Sequence, residues 1–391
     1  MPTVLFDLSV LRTEARVRGI GRYVADLALG LSRSEKLDGI SLLGLERVPW
    51  TGPARGSGDL TAALQRLAEA PEEDHLAWAY RLRLGLARAA RQFGADLVHT
   101  GHPNATPLGK FRCPRVTTCH DLIPLRFPEQ YLDWRDGYRM GREHLDYRRY
   151  HSASHVIAVS ESTASELVTL LGVPAHKISV VYNGVDLARW SSQPEATDAA
   201  VQSAHGLADR QYLFYVGAAD WRKNYAGMLG ALAHLQRAGR LGEIVLAWAA
   251  QLDSGSVERV LGHARSLGVA HALRLLGFVP DAQLGALYRR AVAQLFVSRS
   301  EGFGYPVVEA MAAGCPVITS DRSSTAEIAG DAAWLVDPDN PAAIAEAIAG
   351  LARDPALGER LRELGALRAR KFSLERMAEG TLAVYRCVLG A

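Results

Sequence analysis

A chain of 391 residues, 48% hydrophobic and 22% charged, has the composition of an ordinary globular protein and is long enough for two or three domains. Those figures exclude a disordered chain, a collagen-like chain and a disulfide scaffold. The balance of 44 basic against 42 acidic side chains, a formal net charge of +2, lacks the basic excess of nucleic-acid binding, so no nucleic-acid partner is expected.

The opening Met1-Pro2-Thr3-Val4-Leu5-Phe6-Asp7 carries neither a basic stretch nor a cleavage site, so no secretory signal is expected. β-rich runs at 4–8, 40–45, 96–99, 116–119, 156–159 and 178–181 are predicted strands, with helical patterns between them at 22–31, 76–93 and 162–171. Such alternation implies βαβ crossovers and a parallel sheet covered on both faces. Around 186–200 the alternation stops, and Trp190-Ser191-Ser192-Gln193-Pro194-Glu195 reads as a linker. It resumes with predicted strands at 212–216, 244–247, 272–276, 293–297, 316–319 and 333–336. The expected fold is α/β: two doubly wound, Rossmann-like domains, 1–190 and 201–372, facing across a cleft, with ligands beyond the carboxyl ends of the strands. A last helix is predicted over 373–390, with Ser373 as its N-cap.

Cys113, Cys119, Cys315 and Cys387 are scattered without a CxxC or Cys/His spacing. Neither zinc nor a disulfide framework is expected, and a reducing compartment is the default. No run of about 18 apolar residues would span a bilayer. The expected location is the cytoplasm.

Four segments carry chemistry. In Ser298–Ile318 a predicted strand runs into a loop with Gly302, Phe303 and Gly304, and Pro306 suits the first turn of the following helix. Glycines let backbone N–H groups approach a ligand, and a helix start adds a positive dipole end, so the segment suits a phosphate. Glu309, a turn inside the helix, suits hydroxyls such as those of a ribose, and Glu301 can accept from sugar hydroxyls. The plain alternative is a tight turn with a solvated acid at each end.

Val216-Gly217-Ala218-Ala219-Asp220-Trp221-Arg222-Lys223-Asn224 also follows a strand and opens a helix. Arg222 and Lys223 could balance the charge of a departing diphosphate, the one as a planar fork and the other as a point charge. A solvated basic pair is the alternative, although cations at a helix start are electrostatically misplaced without an anion. His120, beside Asp121 at the end of a predicted strand, could contact a sugar hydroxyl or serve as a structural histidine. Gly19 and Gly21, in Arg18-Gly19-Ile20-Gly21-Arg22-Tyr23, would permit close approach by a ligand, although glycine loops after a first strand are common. This segment does not fit GxGxxG.

Asp337-Pro338-Asp339 formally matches a DxD metal motif, but acids at a helix start usually cap, and no metal site is expected. Between residues 134 and 155, Arg135, Arg139, Arg142, Arg148 and Arg149 alternate with Trp134, Tyr138, Tyr147 and Tyr150. Such a helix could lie on an anionic membrane. Asp136, Glu143 and Asp146 dilute its charge and leave a solvated face as the other reading.

Glu301-Gly302-Phe303-Gly304 with Glu309, seven residues separating the two glutamates, resembles the signature of family 4 glycosyltransferases with the GT-B fold. Gly277-Phe278-Val279-Pro280-Asp281, Arg222-Lys223-Asn224, His120-Asp121 and Arg18-Gly19-Ile20-Gly21 match in the same order, so the resemblance spans nearly the whole chain. It implies a nucleotide-sugar donor in the C-terminal domain, an acceptor in the N-terminal domain, and a last helix, 373–391, crossing back to the latter. By this resemblance Arg222 and Lys223 hold the diphosphate with the 302–304 loop, Glu309 meets the ribose and Glu301 the transferred sugar. His120 meets a sugar hydroxyl near the reacting carbon, and Val279 meets the base through its backbone. Transfer would proceed with retention and without a metal or other cofactor, along a front-face path in which the leaving phosphate helps to deprotonate the acceptor.

The family's N-terminal loop often begins with paired glycines, and Arg18 stands at the first of those places. This form resembles bacterial mannosyltransferases of polysaccharide and O-antigen assembly, which favours GDP-mannose as donor and a glycan or lipid-linked glycan as acceptor. A UDP-sugar donor, a nucleotide-sugar epimerase and a non-catalytic nucleotide-sugar-binding subunit are the other readings. Cytoplasmic location, with peripheral attachment at the inner membrane face should the basic helix meet lipid, completes the expectation.

Overall fold

The computed structural model describes all residues except 18, 36, 38, 103–110, 133–137 and 391, and no side chain of 138–143. The chain forms two units: Met1–Val185 together with Phe372–Ala391, and Asp186–Lys371.

In the first unit the strands are β1 (Thr3–Asp7), β2 (Ser41–Arg47), β3 (Arg55–Ser57), β4 (Leu97–Thr100), β5 (Arg115–Cys119), β6 (His155–Ala158) and β7 (Ile178–Val180). They pair in the order β3-β2-β1-β4-β5-β6-β7. All pairs are parallel except β2 with β3. In the second unit β8 (Tyr212–Val216), β9 (Val245–Ala249), β10 (Leu273–Gly277), β11 (Ala293–Phe296), β12 (Val317–Ser320) and β13 (Trp334–Val336) pair as β10-β9-β8-β11-β12-β13, all parallel. The strands predicted from sequence lie within two residues of these at either end. A parallel sheet covered on both faces needs strands apolar on both sides. Tyr212–Val216 (YLFYV) and Val245–Ala249 (VLAWA) are such strands, and every residue of the second is buried. Each sheet is doubly wound, and its strand order reverses between β1 and β4 in one unit and between β8 and β11 in the other.

The linker expectation is corrected in part. Residues 191–197 have no regular helix or strand, but Trp190 is only 2% exposed and lies edge-on to Tyr288, at 5.8 Å between centroids. Arg289 donates to both carboxylate oxygens of Asp198, at 2.5 and 2.8 Å, and to Ser191 O at 2.8 Å. The segment is therefore fastened to the second unit, whose boundary falls at Asp186 rather than at 201.

The helix Leu374–Leu389 has Ser373 as its N-cap, accepting from Arg376 N, and ends on the left-handed Gly390. It is packed in the first unit: a Cβ at Gly30 would stand 2.7 Å from Leu374 O, and the Tyr385 hydroxyl bonds to buried His99. Among the described residues no helix is long and apolar enough to cross a membrane.

Candidate functional site

In an open α/β sheet the loops leaving the two strands at an order reversal diverge to opposite faces, which opens a ligand crevice at their carboxyl ends. In the second unit these are the loops after β8 and β11. The first carries Arg222 and Lys223, and the second carries Glu301, Gly302, Phe303 and Gly304.

After β8, the side chain of Asp220 accepts from Arg222 N at 3.0 Å and caps a single turn, Trp221–Lys223. That turn aims both cations at one acid. Arg222 donates to one carboxylate oxygen of Glu301 at 2.6 Å, and Lys223 to the other at 2.7 Å. The Lys223 ammonium also lies 4.8 Å from the centroid of the Phe296 ring. Burial alone would raise the Glu301 carboxyl, but the two cations outweigh it and hold it at about 2. Burial lowers the pKa of Lys223, and Glu301 opposes part of that shift. A guanidinium has five N–H donors and an ammonium three, more than one carboxylate can take. The cluster therefore has the chemistry to receive further anionic oxygens.

The Glu301 loop is anchored from the first residues of the helix Ser323–Ala329, which follows β12. Glu301 N donates to Ser323 Oγ at 3.2 Å, and Ser324 Oγ donates to Glu301 O at 2.8 Å and Phe303 O at 3.1 Å. Gly304 has φ 102°, a left-handed value that glycine adopts without penalty, and caps the helix Tyr305–Ala312 with Pro306 in its first turn. Phe303 is 4% exposed and packs edge-on against Tyr305, so its ring belongs to the core. Glu309 is 2% exposed and accepts from Tyr288 Oη at 3.3 Å. Val279 is 5% exposed, just past the left-handed Gly277, while Phe278 beside it is 65% exposed.

Three expectations are corrected in this region. Asp337 and Asp339 do not cap the next helix, because Asn340 accepts from Ala343 N there. The two aspartates instead hold Arg322, at 2.5 and 2.6 Å, and Asp339 also holds Arg299 at 2.9 Å. Arg222 and Lys223 are not a solvated pair, and Glu301 is not a solvated acid, since both cations bond to that one carboxylate and leave a net positive charge. Asn224, which the sequence offers only as the last member of the Arg222-Lys223-Asn224 match, has a structural role of its own. It stands at φ 59°, caps the helix Tyr225–Arg237 and bonds through its amide to Val297 O and Pro338 O. Its signal was a capping asparagine three residues before Gly227.

The first unit gathers a second set at the ends of β4 and β5. His120 Nε2 lies 2.7 Å from Gly101 O. A carbonyl only accepts, so Nε2 carries the proton and neutral His120 keeps Nδ1 as an acceptor. Burial lowers its pKa. The Tyr23 ring stands edge-on to His120, at 4.7 Å between centroids. Tyr23 Oη is 2.8 Å from Thr118 Oγ1, Thr118 is 2.8 Å from His99 Nε2, and His99 Nδ1 is 2.6 Å from Tyr385 Oη. Burial drives the His99 pKa down to about 3, so this chain of hydrogen bonds is neutral. Asp121 accepts from Ile123 N at 3.2 Å and serves the local turn.

The glycine-loop expectation for the first unit is corrected at Gly21. The helix Gly19–Ser32 already contains both glycines. A Cβ at Gly21 would stand 2.2 Å from Ala15 O, so this glycine admits the chain's own backbone rather than a ligand, whereas Gly19 has open space. Arg18 lies outside the described residues, as do Trp134, Arg135 and Asp136. Within the helix Tyr138–His151 the solvated-face and membrane readings both fail for two residues. Arg149 pairs with Asp146 and is 3% exposed, and Tyr150 is 1% exposed.

Two doubly wound units, with paired cations, an acid and a glycine loop meeting at the switch point of the second, fit the GT-B architecture that the sequence resembles. The profile described as "Glycosyltransferase Family 4" matches residues 17–189, and that described as "Glycosyl transferases group 1" matches 200–368. The chain belongs to this glycosyltransferase family. It is 29% identical to the O-antigen chain mannosyltransferase B of Escherichia coli over 94% of this chain and 96% of that one. It is 27% identical to a glycogen synthase of Mycobacterium tuberculosis over 94% and 91%. Among solved structures, the sucrose-phosphate synthase of Thermosynechococcus elongatus superposes with a TM-score of 0.77 at 20% identity, covering 100% of both chains.

Proposed function

We propose that the chain is a retaining hexosyltransferase that moves mannose from GDP-mannose to a glycan or lipid-linked glycan acceptor, in the cytoplasm. The observation that carries this reading is the half-buried triad in which Arg222 and Lys223 converge on Glu301 at 2.6 and 2.7 Å, beside the Gly302–Gly304 loop. Two fixed cations and a glycine turn suit a diphosphate, and a carboxylate among them suits the hydroxyls of the sugar attached to it. Arg222 and Lys223 stabilise the charge that develops on the departing diphosphate. Glu301 orients the sugar, Glu309 the ribose, and Val279 meets the base through its backbone. His120, neutral with Nδ1 as acceptor, receives a sugar hydroxyl. The acceptor oxygen bonds to the anomeric carbon on the face from which the diphosphate oxygen departs, and its proton passes to that leaving phosphate. Charge is neutralised by side chains in this scheme, so a chelator is expected to leave the rate unchanged.

Mannose and GDP are favoured by the likeness to the O-antigen chain mannosyltransferase, while glycogen synthase among the relatives keeps glucosyl donors as the comparison to run. A membrane-bound acceptor is supported by one face of the first unit. On the helix His75–Gln92, Leu76, Tyr80 and Leu84 are 68%, 57% and 61% exposed at every fourth position, and the helix holds four arginines and no acid.

Thermal shift with GDP, UDP, ADP and their sugars tests the donor. Stabilisation by GDP and GDP-mannose alone is expected. Selective response to UDP would replace the donor, and silence toward every sugar nucleotide would end the transferase reading.

A further inference from the structure

The donor loop is held by side chains from outside its own segment. In a trans peptide the C=O of one residue and the N–H of the next point in opposite directions. Ser324 Oγ binds the carbonyls of both Glu301 and Phe303, at 2.8 and 3.1 Å, and is fully buried. Those carbonyls belong to the same peptide planes as the N–H groups of Gly302 and Gly304. One hydroxyl thus turns both glycine amides away from the helix Ser323–Ala329. Ser323 Oγ accepts from Glu301 N at 3.2 Å, fixing the start of the same loop. Thr325 completes the seat, since its methyl would lie 3.3 Å from a Cβ at Gly304.

The backbone of Ser323 pays for this arrangement. It stands at φ 53°, where a residue with a Cβ is strained. Backbone strain of this kind persists only where the surroundings impose it, and it concentrates at functional sites.

Resting on the nucleotide-sugar reading above, we infer that Ser323 and Ser324 are positioning residues that set the direction of the Gly302 and Gly304 amides and the place of the Glu301 carboxylate for the donor diphosphate. Neither side chain needs to touch the donor. They act through the loop that does.

The test uses the full chain, with GDP and UDP as probes in titration calorimetry and the melting temperature measured alongside. Ser324→Ala is expected to weaken diphosphate binding about tenfold, the equivalent of one well-placed hydrogen bond. Ser323→Ala removes the hydroxyl and keeps the strain, whereas Ser323→Gly removes both. A merely structural role would make binding follow stability, so that the glycine variant binds like the unaltered chain. A positioning role makes both Ser323 variants lose affinity alike while their melting temperatures differ. Should Ser324→Ala fail to fold, the Ser323 pair decides alone. Binding by Ser323→Gly within twofold of the unaltered chain overturns the inference. Absence of binding of either diphosphate by the unaltered chain overturns the donor reading itself, and this inference with it.

Discussion

The amide of Asn224 donates to the carbonyl of Val297 at 3.0 Å, joining the loop after β8 to the end of β11 across the switch point. The same amide reaches Pro338 O at 2.7 Å, and Asn224 Oδ1 accepts from Gly227 N at 3.2 Å. The residue that follows the two donor cations is thus the rivet that holds their turn. Asn224→Asp keeps the cap but sets carboxylate oxygens against two carbonyls. A loss of at least about 2 kcal/mol is expected in denaturant unfolding at pH 7, because buried carbonyls lose their donor. The loss should shrink at pH 4, where a protonated carboxyl regains one O–H donor. Equal stability of the variant and the unaltered chain at pH 7 would show that the amide is dispensable.

Lys223→Ala is expected to lower sugar transfer at least about a hundredfold, or about 2.7 kcal/mol at a factor of ten per 1.36. The ammonium sits 2.7 Å from Glu301, and its loss leaves the departing diphosphate with Arg222 alone. Lys223→Arg should recover only part of the rate, because a planar fork cannot replace a point charge packed over Phe296. Initial rates with saturating donor decide the matter. Near-normal turnover in Lys223→Ala would remove the assigned role.

Acid should loosen the second unit through the same triad. Glu301 is held at about 2, below its ordinary value of 4.5, so folding gains stability from the ionised form above 4.5 and loses it as pH falls toward 2. Glu301→Gln should remove that part of the acid dependence and lower stability at pH 7, since Arg222 and Lys223 then face a neutral amide. Melting curves between pH 2 and 7 measure this, and parallel curves for the variant and the unaltered chain would contradict it.

Asp7, at the end of β1, carries the opposite sign. Burial raises its carboxyl to about 6, and bonds from Ser9 to Oδ1 only partly offset this. Its Oδ2 is buried and without a partner. The folded chain therefore keeps a proton that the unfolded chain releases above about 3.8. The resulting stability is full below 3.8 and is lost as pH rises through 6. Asp7→Asn should flatten the melting temperature across that window. An unchanged slope would place the titration elsewhere.

The sheets were legible because parallel strands buried on both faces read as uninterrupted apolar runs, as in Tyr212–Val216. β3 was not, since Arg-Gly-Ser at an exposed edge shows no alternation, and Gly56 is there because a Cβ would stand 2.8 Å from Gly44 O. Arg222, Lys223 and Glu301 were found as separate motifs, and their loops meet because β8 and β11 are neighbours in the sheet. That adjacency follows from strand order, which no local pattern encodes. The roles of Ser323 and Ser324 were hidden for a related reason. Their partners are backbone carbonyls and an amide, which leave no residue-type signature in the sequence. Gly21 misled because a glycine needed for close approach looks the same whether the neighbour is a ligand or the chain's own Ala15.

The exposed face of the helix His75–Gln92 gives the last prediction. Leu76, Tyr80 and Leu84 form one stripe, and Trp50, 58% exposed, lies with its ring 5.7 Å from the guanidinium of Arg81 on the same helix. Three large apolar side chains in a row on one helix are costly to leave in water, whereas a bilayer interface would bury them. Arg88 and Arg91, both exposed, supply attraction to anionic headgroups, worth about 1 kcal/mol per residue near such a surface. The chain is therefore expected to float with vesicles containing phosphatidylglycerol and to stay behind with pure phosphatidylcholine. Flotation should fall as salt is raised, because the attraction is screened beyond about 8 Å at physiological ionic strength. The double variant Leu76→Glu, Leu84→Glu changes only exposed positions, so it should fold normally and still bind the donor nucleotide while losing flotation. Flotation undiminished in that variant would move any lipid contact to another surface, and no flotation of the unaltered chain would dismiss the membrane altogether.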